Sequence, residues 1–306
     1  MDLFLEGLGI VSDATARDVG EFGLIAAVTA RLPQSPDVLL GPGDDAAVLS
    51  FPGGRVVATT DVLVEGVHFR RDWSSAYDVG RKAAAANLAD VAAMGGVGTA
   101  LLVGFAAPPD LPLQWALDLA DGLRDECALV GASVVGGDTV TSDQVVLSVT
   151  ALGRVERWVT RSGARPGDLV VVAGRLGHSG AGLRLLQQGV AEGPLVDAHR
   201  RPEPPYAAGP LLAAAGATAM CDVSDGLVND LGHVADASGV AIDLDSAALA
   251  DSAVTLDDVL GGGEDHALVA TVPGPVEGCR VIGRVLEGSG VTLDGQPVSA
   301  GWEHFA

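Results

Sequence analysis

The feature that most constrains the fold is a series of short apolar runs that each lead to a carboxylate. These runs, with their acids, are residues 56–60 with Asp61, residues 133–139 with Asp138, and residues 218–225 with Asp222 and Asp225. Apolar runs of this length predict strands. The alanine-rich segment 76–94, ended by Gly95 and Gly96, and the amphipathic segment 113–130 predict helices between them. We also expect a short helix at residues 21–32, a break of the run 133–139 at its two glycines, an irregular stretch at residues 194–205, and a hairpin turn at Asp294 and Gly295. Runs of strands with helices on one face indicate an α+β fold.

The length and composition indicate two folded domains. A chain of 306 residues is long for a single domain. A hydrophobic content of 48% predicts buried cores rather than disorder. The polar segment 153–167 is interrupted by glycine and proline, as is typical of a linker. We therefore predict an N-terminal extension (residues 1–20), an N-terminal domain (residues 21–153) and a C-terminal domain (residues 154–306).

The charge and the cysteine pattern exclude several classes of protein. A formal net charge of −22 argues against binding to nucleic acid and to anionic lipid, because both require clustered basic residues. The uncharged stretch 91–109 is broken by glycines, so no membrane span is expected. The three cysteines are widely spaced and form no zinc or disulfide pattern, which favours a reducing, cytoplasmic location.

The basic residues limit how this chain can bind phosphate. Lys82 is the only lysine among 18 basic residues, and no GxxxxGK[ST] sequence occurs, so a P-loop is excluded. Metal ions and arginines would then have to neutralise any bound phosphate. Arg161, within TRSGA, is our candidate for this role, although an ordinary surface arginine is the alternative.

Two glycine-rich loops present further acids. They carry Asp44 with Asp45, and Glu264 with Asp265. No cysteine or histidine forms a zinc-ligand pattern with these carboxylates in the sequence, which favours Mg²⁺ over zinc. Asp44 and Asp45 could equally be turn residues.

Acidic residues lie near the ends of two predicted helices. Asp90 lies near the C-terminal end of its helix, where the helix dipole disfavours an anion, so we expect a cation nearby. A solvated or arginine-paired Asp90 is the alternative. Ser224 or Asp225 is expected to cap the helix predicted at residues 226–237. Capping cannot account for both Asp222 and Asp225.

The ordered motifs GPGDDAAVL, TTDVLVEGVHF, NLADVAAMG, GGDT, TRSGA, DVSDGL and GGED resemble those of the thiamine-monophosphate kinase family. The similarity runs from about residue 21 to residue 305. It implies two domains of the aminoimidazole ribonucleotide synthetase-like fold, with an N-terminal mixed sheet used to form a homodimer. It also implies transfer of a phosphoryl group from ATP to thiamine monophosphate.

The resemblance implies a role for individual positions. The implied Mg²⁺ ligands are Asp45, Thr59, Thr60, Asp61, Asp90, Asp138, Asp222 and Asp225, and Asp45 is preferred to its neighbour Asp44. The implied ATP contacts are Gly137, Asp138, Arg161 and Ser224. The implied contacts to thiamine monophosphate are His68, Glu264 and Trp302, with Phe305 as the alternative aromatic residue.

The chemistry of the acceptor agrees with this set of residues. A phosphate monoester has a second pKa of about 6, so it is largely dianionic at neutral pH and needs no general base. The obstacle is repulsion between two polyanions, which several Mg²⁺ ions can remove. We therefore expect direct in-line transfer, with no catalytic side chain acting as base. Trp302 could stack on the cationic thiazolium ring.

Two other functions fit parts of the pattern. An aminoimidazole ribonucleotide synthetase-like ligase is the nearest alternative, but TTDVLVEGVHF and GWEHF fit the kinase better. The second alternative is a non-catalytic dimer that binds Mg²⁺ or nucleotide and whose acidic residues stabilise the fold.

Overall fold

The computed structural model describes residues 14–40, 48–51 and 54–301. The chain divides into two compact units. The first unit comprises Met1–Asn87 with Gly98–Arg154, and the second comprises Leu88–Val97 with Val155–Ala306. In the described part of the chain, no helix is both long and apolar enough to cross a membrane.

The first unit is built around a four-stranded sheet. The elements of this part of the chain are α1 (Ala16–Thr29), β1 (Val38–Leu40), β2 (Val48–Leu49), β3 (Val56–Val64), α2 (Ala76–Ala93), β4 (Val97–Ala107), α3 (Leu113–Ala128), β5 (Ser133–Thr141) and β6 (Val146–Arg154). The strand order of the sheet is β3-β6-β4-β5, while β1 and β2 pair separately. β3 runs antiparallel to β6, and β4 runs parallel to β5.

Helices α2 and α3 pack very closely because each helix places a glycine against the backbone of the other. A Cβ added at Gly80 would lie 2.2 Å from the carbonyl oxygen of Leu119, and one at Gly122 would lie 2.1 Å from that of Tyr77. Only glycine allows backbones to approach this closely. The alanines of α2 at positions 83, 84 and 85 are fully buried, in keeping with this tight packing.

Strand β5 differs from the expectation that it would break at its two glycines. The strand continues through them to Thr141, with a register irregularity opposite, between Leu101 and Leu102. A Cβ at Gly137 would lie 1.9 Å from the carbonyl oxygen of Val103. The glycine therefore permits a close approach of strands instead of ending one.

The second unit contains a seven-stranded sheet. Its elements are β7 (Leu169–Ala173), α4 (His178–Gln187), α5 (Pro194–Arg200), α6 (Ala208–Ala214), β8 (Ala219–Asp222), α7 (Leu227–Ser238), β9 (Ala241–Leu244), α8 (Ser246–Leu249), α9 (Leu256–Gly261), β10 (Leu268–Val272), β11 (Arg280–Leu286), β12 (Gly290–Leu293) and β13 (Gln296–Pro297). The strand order is β13-β12-β9-β11-β7-β10-β8.

Alternate residues of the central strands enter different cores. Val170 and Val172 pack in the core that contains α7, whereas Val171 packs with Leu212 of α6 in a second core. This is the two-residue period of a strand buried on both sides. The central strands of this sheet are therefore covered on both faces, whereas the sequence pattern predicted helices on one face only.

Three local expectations have clear outcomes. The hairpin turn predicted at Asp294 and Gly295 is confirmed, because both residues have positive φ (50° and 76°) and the turn joins the antiparallel strands β12 and β13. The stretch 194–205 was expected to be irregular, but Pro194 occupies the first turn of α5, where its missing N–H is tolerated. Helix α1 begins at Ala16, earlier than predicted, and is kinked at Gly20.

Candidate functional site

The two units each carry part of the predicted site. The first unit contains Thr59, Thr60, Asp61, His68, Gly137 and Asp138, and the second contains Asp90, Arg161, Asp222, Ser224, Asp225 and Glu264. Asp44, Asp45, Trp302 and Phe305 lie outside the described residues.

The backbone at Asp61 is held by a buried side chain of α2. Strand β3 stands at one end of the described strand order, and the N–H of Asp61 donates to Oδ1 of Asn87 at 3.1 Å. Asn87 is fully buried, and its Nδ2 donates to the carbonyl oxygen of Ala83 at 3.0 Å. The helix therefore satisfies an edge N–H that would otherwise need water, and it fixes the backbone that carries the Asp61 carboxylate.

Strand alternation separates the side chains of neighbouring predicted ligands. Thr59 and Asp61 project from one face of β3, and Thr60 projects from the other. The hydroxyl of Thr60 donates to the carbonyl oxygen of Val149 at 2.9 Å and accepts from the hydroxyl of Thr150 at 3.1 Å. The Thr60 hydroxyl thus takes part in cross-strand hydrogen bonds of the sheet.

His68 is oriented by the turn that follows β3. Its Nδ1 accepts from the N–H of Val64 at 3.1 Å, so a neutral His68 carries its proton on Nε2. Lys82, which is buried, donates to the carbonyl oxygen of His68 at 3.2 Å. The only lysine of the chain therefore makes a structural contact at the predicted substrate residue.

Asp138 lies exposed on β5, directly after Gly137. Its Oδ1 accepts from the N–H of Thr139 at 2.9 Å. The register places it opposite Gly104 of β4. The Asp138 side chain is therefore exposed, and the pairing of β5 with β4 fixes its position on the sheet.

In the second unit, two predicted loops lie side by side. The N–H of Val223 donates to the carbonyl oxygen of Ala267 at 2.8 Å, and the N–H of His266 donates back to that of Val223 at 2.9 Å. The N–H of Glu264 donates to the carbonyl oxygen of Ser224 at 2.8 Å. These bonds extend the β8–β10 pairing into the loops, and so they bring Asp222, Ser224, Asp225 and Glu264 together.

A buried histidine that sequence reasoning missed pairs with Asp222. Nδ1 of His266 lies 2.9 Å from Oδ2 of Asp222, and the two residues are 6% and 3% exposed. Burial by itself lowers the pKa of His266. The hydrogen bond to Asp222 and the charges of Asp222, Glu264 and Asp90 outweigh it, so the pKa is raised.

The loop that carries Glu264 has an unusual backbone. Glu264 and His266 both have positive φ (61° and 52°), which is uncommon outside glycine. Asp265 between them accepts from the N–H groups of Gly177 and Ser179 at the start of α4. Burial raises the pKa of Asp265 to about 6, although these two bonds oppose the shift. Strained residues held by such contacts are concentrated at functional sites.

Glu264 also lies near a second buried histidine. Its Oε2 is 3.6 Å from Nδ1 of His199, and that nitrogen is 3.1 Å from the hydroxyl of Ser179. His199 is 4% exposed and comes from α5, which was not predicted as a helix. Nothing in the local sequence around His199 indicated this contact.

The expected capping role of Ser224 or Asp225 is wrong. Gly226, with φ of 113°, is the residue that precedes α7, and it has no side chain with which to cap. Instead, Oδ2 of Asp230 accepts from the N–H groups of Ser224 and Asp225, at 3.1 Å each. Burial, and then the charge of Asp222, raise the pKa of Asp230 to about 7. An acid in the first turn of a helix is the signal that could have indicated Asp230.

The donor chemistry of the second unit suits a hard cation, although a complete ligand set is not assembled. Asp90, Asp222 and Glu264 all act electrostatically on His266, and Asp222 and Asp225 act on Asp230. Carboxylate oxygens are the ligands that Mg²⁺ prefers. Among the residues that the structure describes, however, no three His, Cys, Asp or Glu side chains are grouped to hold a metal ion.

Arg161 is exposed in the segment before β7, and its positive charge acts on Asp230. Its carbonyl oxygen accepts from the hydroxyl of Ser238 at 3.3 Å. Next to it, Arg157, Trp158 and Arg165 line an open cavity of about 240 Å³. Arg157, Arg161 and Arg165 are all exposed in this segment, and the charge of Arg161 reaches Asp230.

Both halves of the chain match known domains. The family models of the AIR synthase related protein N-terminal and C-terminal domains match residues 43–155 and 165–295. Thiamine-monophosphate kinase of Mycobacterium tuberculosis is 48% identical over 310 residues, covering 95% of this chain and 93% of the relative.

Solved structures agree with this match. The crystal structure of thiamine-monophosphate kinase from Stenotrophomonas maltophilia has a TM-score of 0.80 at 35% identity, covering 91% of this chain and 98% of the other. The structure of AaThiL complexed with AMPPCP and TMP has a TM-score of 0.78 at 36% identity, covering 94% and 98%. The chain belongs to the thiamine-monophosphate kinase family and consists of two AIR synthase related domains.

Proposed function

We propose that this protein phosphorylates thiamine monophosphate to thiamine diphosphate with ATP. The observation that carries the proposal is the similarity to AaThiL complexed with AMPPCP and TMP, which extends over 94% of this chain at 36% identity. The acidic loops and the exposed arginine segment of the second unit provide the chemistry that such a reaction needs.

The proposed metal ligands are Asp45, Thr59, Thr60, Asp61, Asp90, Asp138, Asp222 and Asp225. The proposed ATP contacts are Gly137, Asp138, Arg161 and Ser224, and the proposed substrate contacts are His68, Glu264 and Trp302. Mg²⁺, when bound, neutralises phosphate charge and helps to align the reacting groups.

The residues of this chain contribute positioning rather than acid–base chemistry. His266 orients the Asp222 carboxylate, and Asn87 fixes the strand at Asp61. Held in this way, the acids need little reorganisation during transfer. The acceptor phosphate is already largely dianionic at neutral pH. We therefore propose direct in-line transfer, which predicts inversion at the transferred phosphorus; net retention would contradict it.

The activity is tested with a coupled ADP-release assay on three acceptors. We expect turnover with thiamine monophosphate, and none with free thiamine or formylglycinamidine ribonucleotide. Turnover with formylglycinamidine ribonucleotide alone would instead favour the ligase alternative. Addition of ATP with thiamine monophosphate should also raise the thermal midpoint, because both bind the folded state.

The variant Asp61→Asn distinguishes a kinase from a non-catalytic binding protein. A kinase should lose turnover by about 100-fold or more while its thermal midpoint is unchanged. The matched control is Asp143→Asn, at an exposed turn position of the same unit, and it should keep both properties. Loss of thermal stability with turnover unchanged would favour a structural role for Asp61.

We also propose that the first unit forms a homodimer through its sheet. Side chains on the face opposite the buried one include Val56, Val62, Leu102 and Val140, which are between 38% and 54% exposed. Such an exposed aliphatic face is typical of an interaction surface. Val62→Asp should convert the dimer to a monomer in sedimentation, whereas Val67→Asp, 66% exposed outside the sheet, should not. A dimer that persists in Val62→Asp would contradict this interface.

A further inference from the structure

Asp230 is a buried carboxylate that no step of the proposed reaction uses. It lies in the first turn of α7 and is 2% exposed. A single oxygen, Oδ2, accepts from the N–H groups of both Ser224 and Asp225. Both residues belong to the proposed site, so Asp230 contacts the backbone that presents their side chains.

We propose that Asp230 is a positioning residue that holds residues 223–226 in the conformation that presents Ser224 and Asp225. Its role is that of a hydrogen-bond acceptor for the N–H groups of Ser224 and Asp225. This inference rests on the proposed function, because it assigns Asp230 a part in organising that same site.

The loop needs such an acceptor because of how α7 begins. The first N–H groups of a helix, and those just before it, have no partner within the helix. Gly226 cannot supply one, since it has no side chain. An amide that is partly shielded from water and left without an acceptor is unfavourable. Asp230 reaches back from within the helix and satisfies two of these amides with one oxygen.

Other contacts hold the ends of the loop but not the amide of Asp225. Val223 pairs with Ala267, and the carbonyl oxygen of Ser224 accepts from Glu264. Loss of the Asp230 acceptor should therefore leave β8 and its pairing in place. Without this acceptor, the increase in backbone flexibility should be largest at Ser224 and Asp225.

The contacts that Asp230 makes with the loop require an acceptor oxygen. Its Oδ2 accepts from the amides of Ser224 and Asp225, at 3.1 Å each. Hydrogen bonds from two amides need only an oxygen with two lone pairs. The side-chain amide oxygen of asparagine meets that requirement.

The test compares Asp230→Asn with Asp230→Ala in the full-length protein. Asp236→Asn, at an exposed position of the same helix, is the control. We measure kcat, KM for both substrates, the Mg²⁺ concentration for half-maximal rate, and hydrogen exchange at the amides of Ser224 and Asp225. The exchange measurement does not depend on turnover.

We expect Asp230→Ala to lower kcat about tenfold or more, to raise the Mg²⁺ requirement, and to accelerate exchange at the two amides. Asp230→Asn should stay within about threefold of the wild type in each rate, because the acceptor is retained. If Asp230→Ala does not fold, the inference is tested by Asp230→Asn alone, and rates well below those of the wild type would contradict it.

Two results would overturn the inference. An Asp230→Asn variant as impaired as Asp230→Ala would show that charge or metal ligation is what matters. Wild-type exchange at both amides in Asp230→Ala would show that Asp230 does not hold the loop. Failure of the wild-type protein to phosphorylate thiamine monophosphate would refute the proposed function separately, because the exchange comparison would still stand.

Discussion

The contact between Asp258 and Arg184 offers a sharp test of how the second unit is stabilised. Asp258 occupies the first turn of α9, the helix that leads into the glycine loop before Glu264. Its carboxylate accepts from both Nη atoms of Arg184 in α4. It also accepts from the N–H and hydroxyl of Thr255, at 3.0 and 2.7 Å, which completes a capping box.

The expected effect of Asp258→Ala follows from these two sets of bonds. Loss of the capping box should lower the free energy of unfolding by about 1 kcal/mol. Loss of the paired hydrogen bonds to Arg184 should add about 1 kcal/mol, a reduced value because Arg184 is 48% exposed and regains water. The sum of about 2 kcal/mol corresponds to a fall of roughly 4–8 °C in the thermal midpoint of a unit of this size.

The pH dependence of the stability difference between wild type and Asp258→Ala has a definite direction. The bond to Arg184, with the Thr255 contacts, lowers the pKa of Asp258 to about 2. An acid with a lowered folded-state pKa stabilises the protein above its unfolded pKa, and this stability is lost as the pH falls. The difference between wild type and Asp258→Ala should therefore shrink by about 1 kcal/mol between pH 7 and pH 3.

Urea denaturation at several pH values, followed by circular dichroism, measures the effect. Asp257→Ala is the matched control, since Asp257 is the exposed neighbour in the same helical turn. The reasoning is refuted if Asp257→Ala loses as much stability as Asp258→Ala. It is also refuted if the difference from wild type grows as the pH falls.

Two further predictions concern buried groups. Asn87→Leu removes the acceptor of the Asp61 amide, and it should lower the free energy of unfolding by about 1–3 kcal/mol in urea denaturation; unchanged stability would mean that water replaces Asn87. Thiol labelling of the native protein at pH 7.5 should modify Cys279 first, because burial raises the pKa of Cys127 to about 12 and that of Cys221 strongly. Rapid labelling of Cys127, detected by mass spectrometry, would contradict this order.

Much of the fold could be predicted from the sequence because the signals are local. Asp294 and Gly295 form the expected turn since both tolerate positive φ, and Gly95, at φ of 78°, follows the end of α2 as expected. The apolar run of β8 ends at Asp222, as its pattern indicated. In each case the deciding interactions lie within a few residues along the chain.

The predictions that failed applied the same local rules at positions where contacts with residues far away in the sequence determine the conformation. The glycines of β5 were expected to end the strand, but Gly137 packs against Val103 of the neighbouring strand. Ser224 and Asp225 have the residue types of helix caps, yet their N–H groups donate to Asp230. A residue type indicates which conformations are allowed, and the packing around it selects one of them.

By itself the sequence determined the types of the longer elements, the family and the acids that end the strands, because period, turn chemistry and ordered motifs are properties of neighbouring residues. Only the tertiary structure decided which groups hold those acids. His266 reaches Asp222 across 44 positions of the chain, and Asp265 reaches the N–H of Ser179 across 86. Burial removes water as a partner, so each buried polar group must find another within the fold. No local pattern specifies which residue that will be.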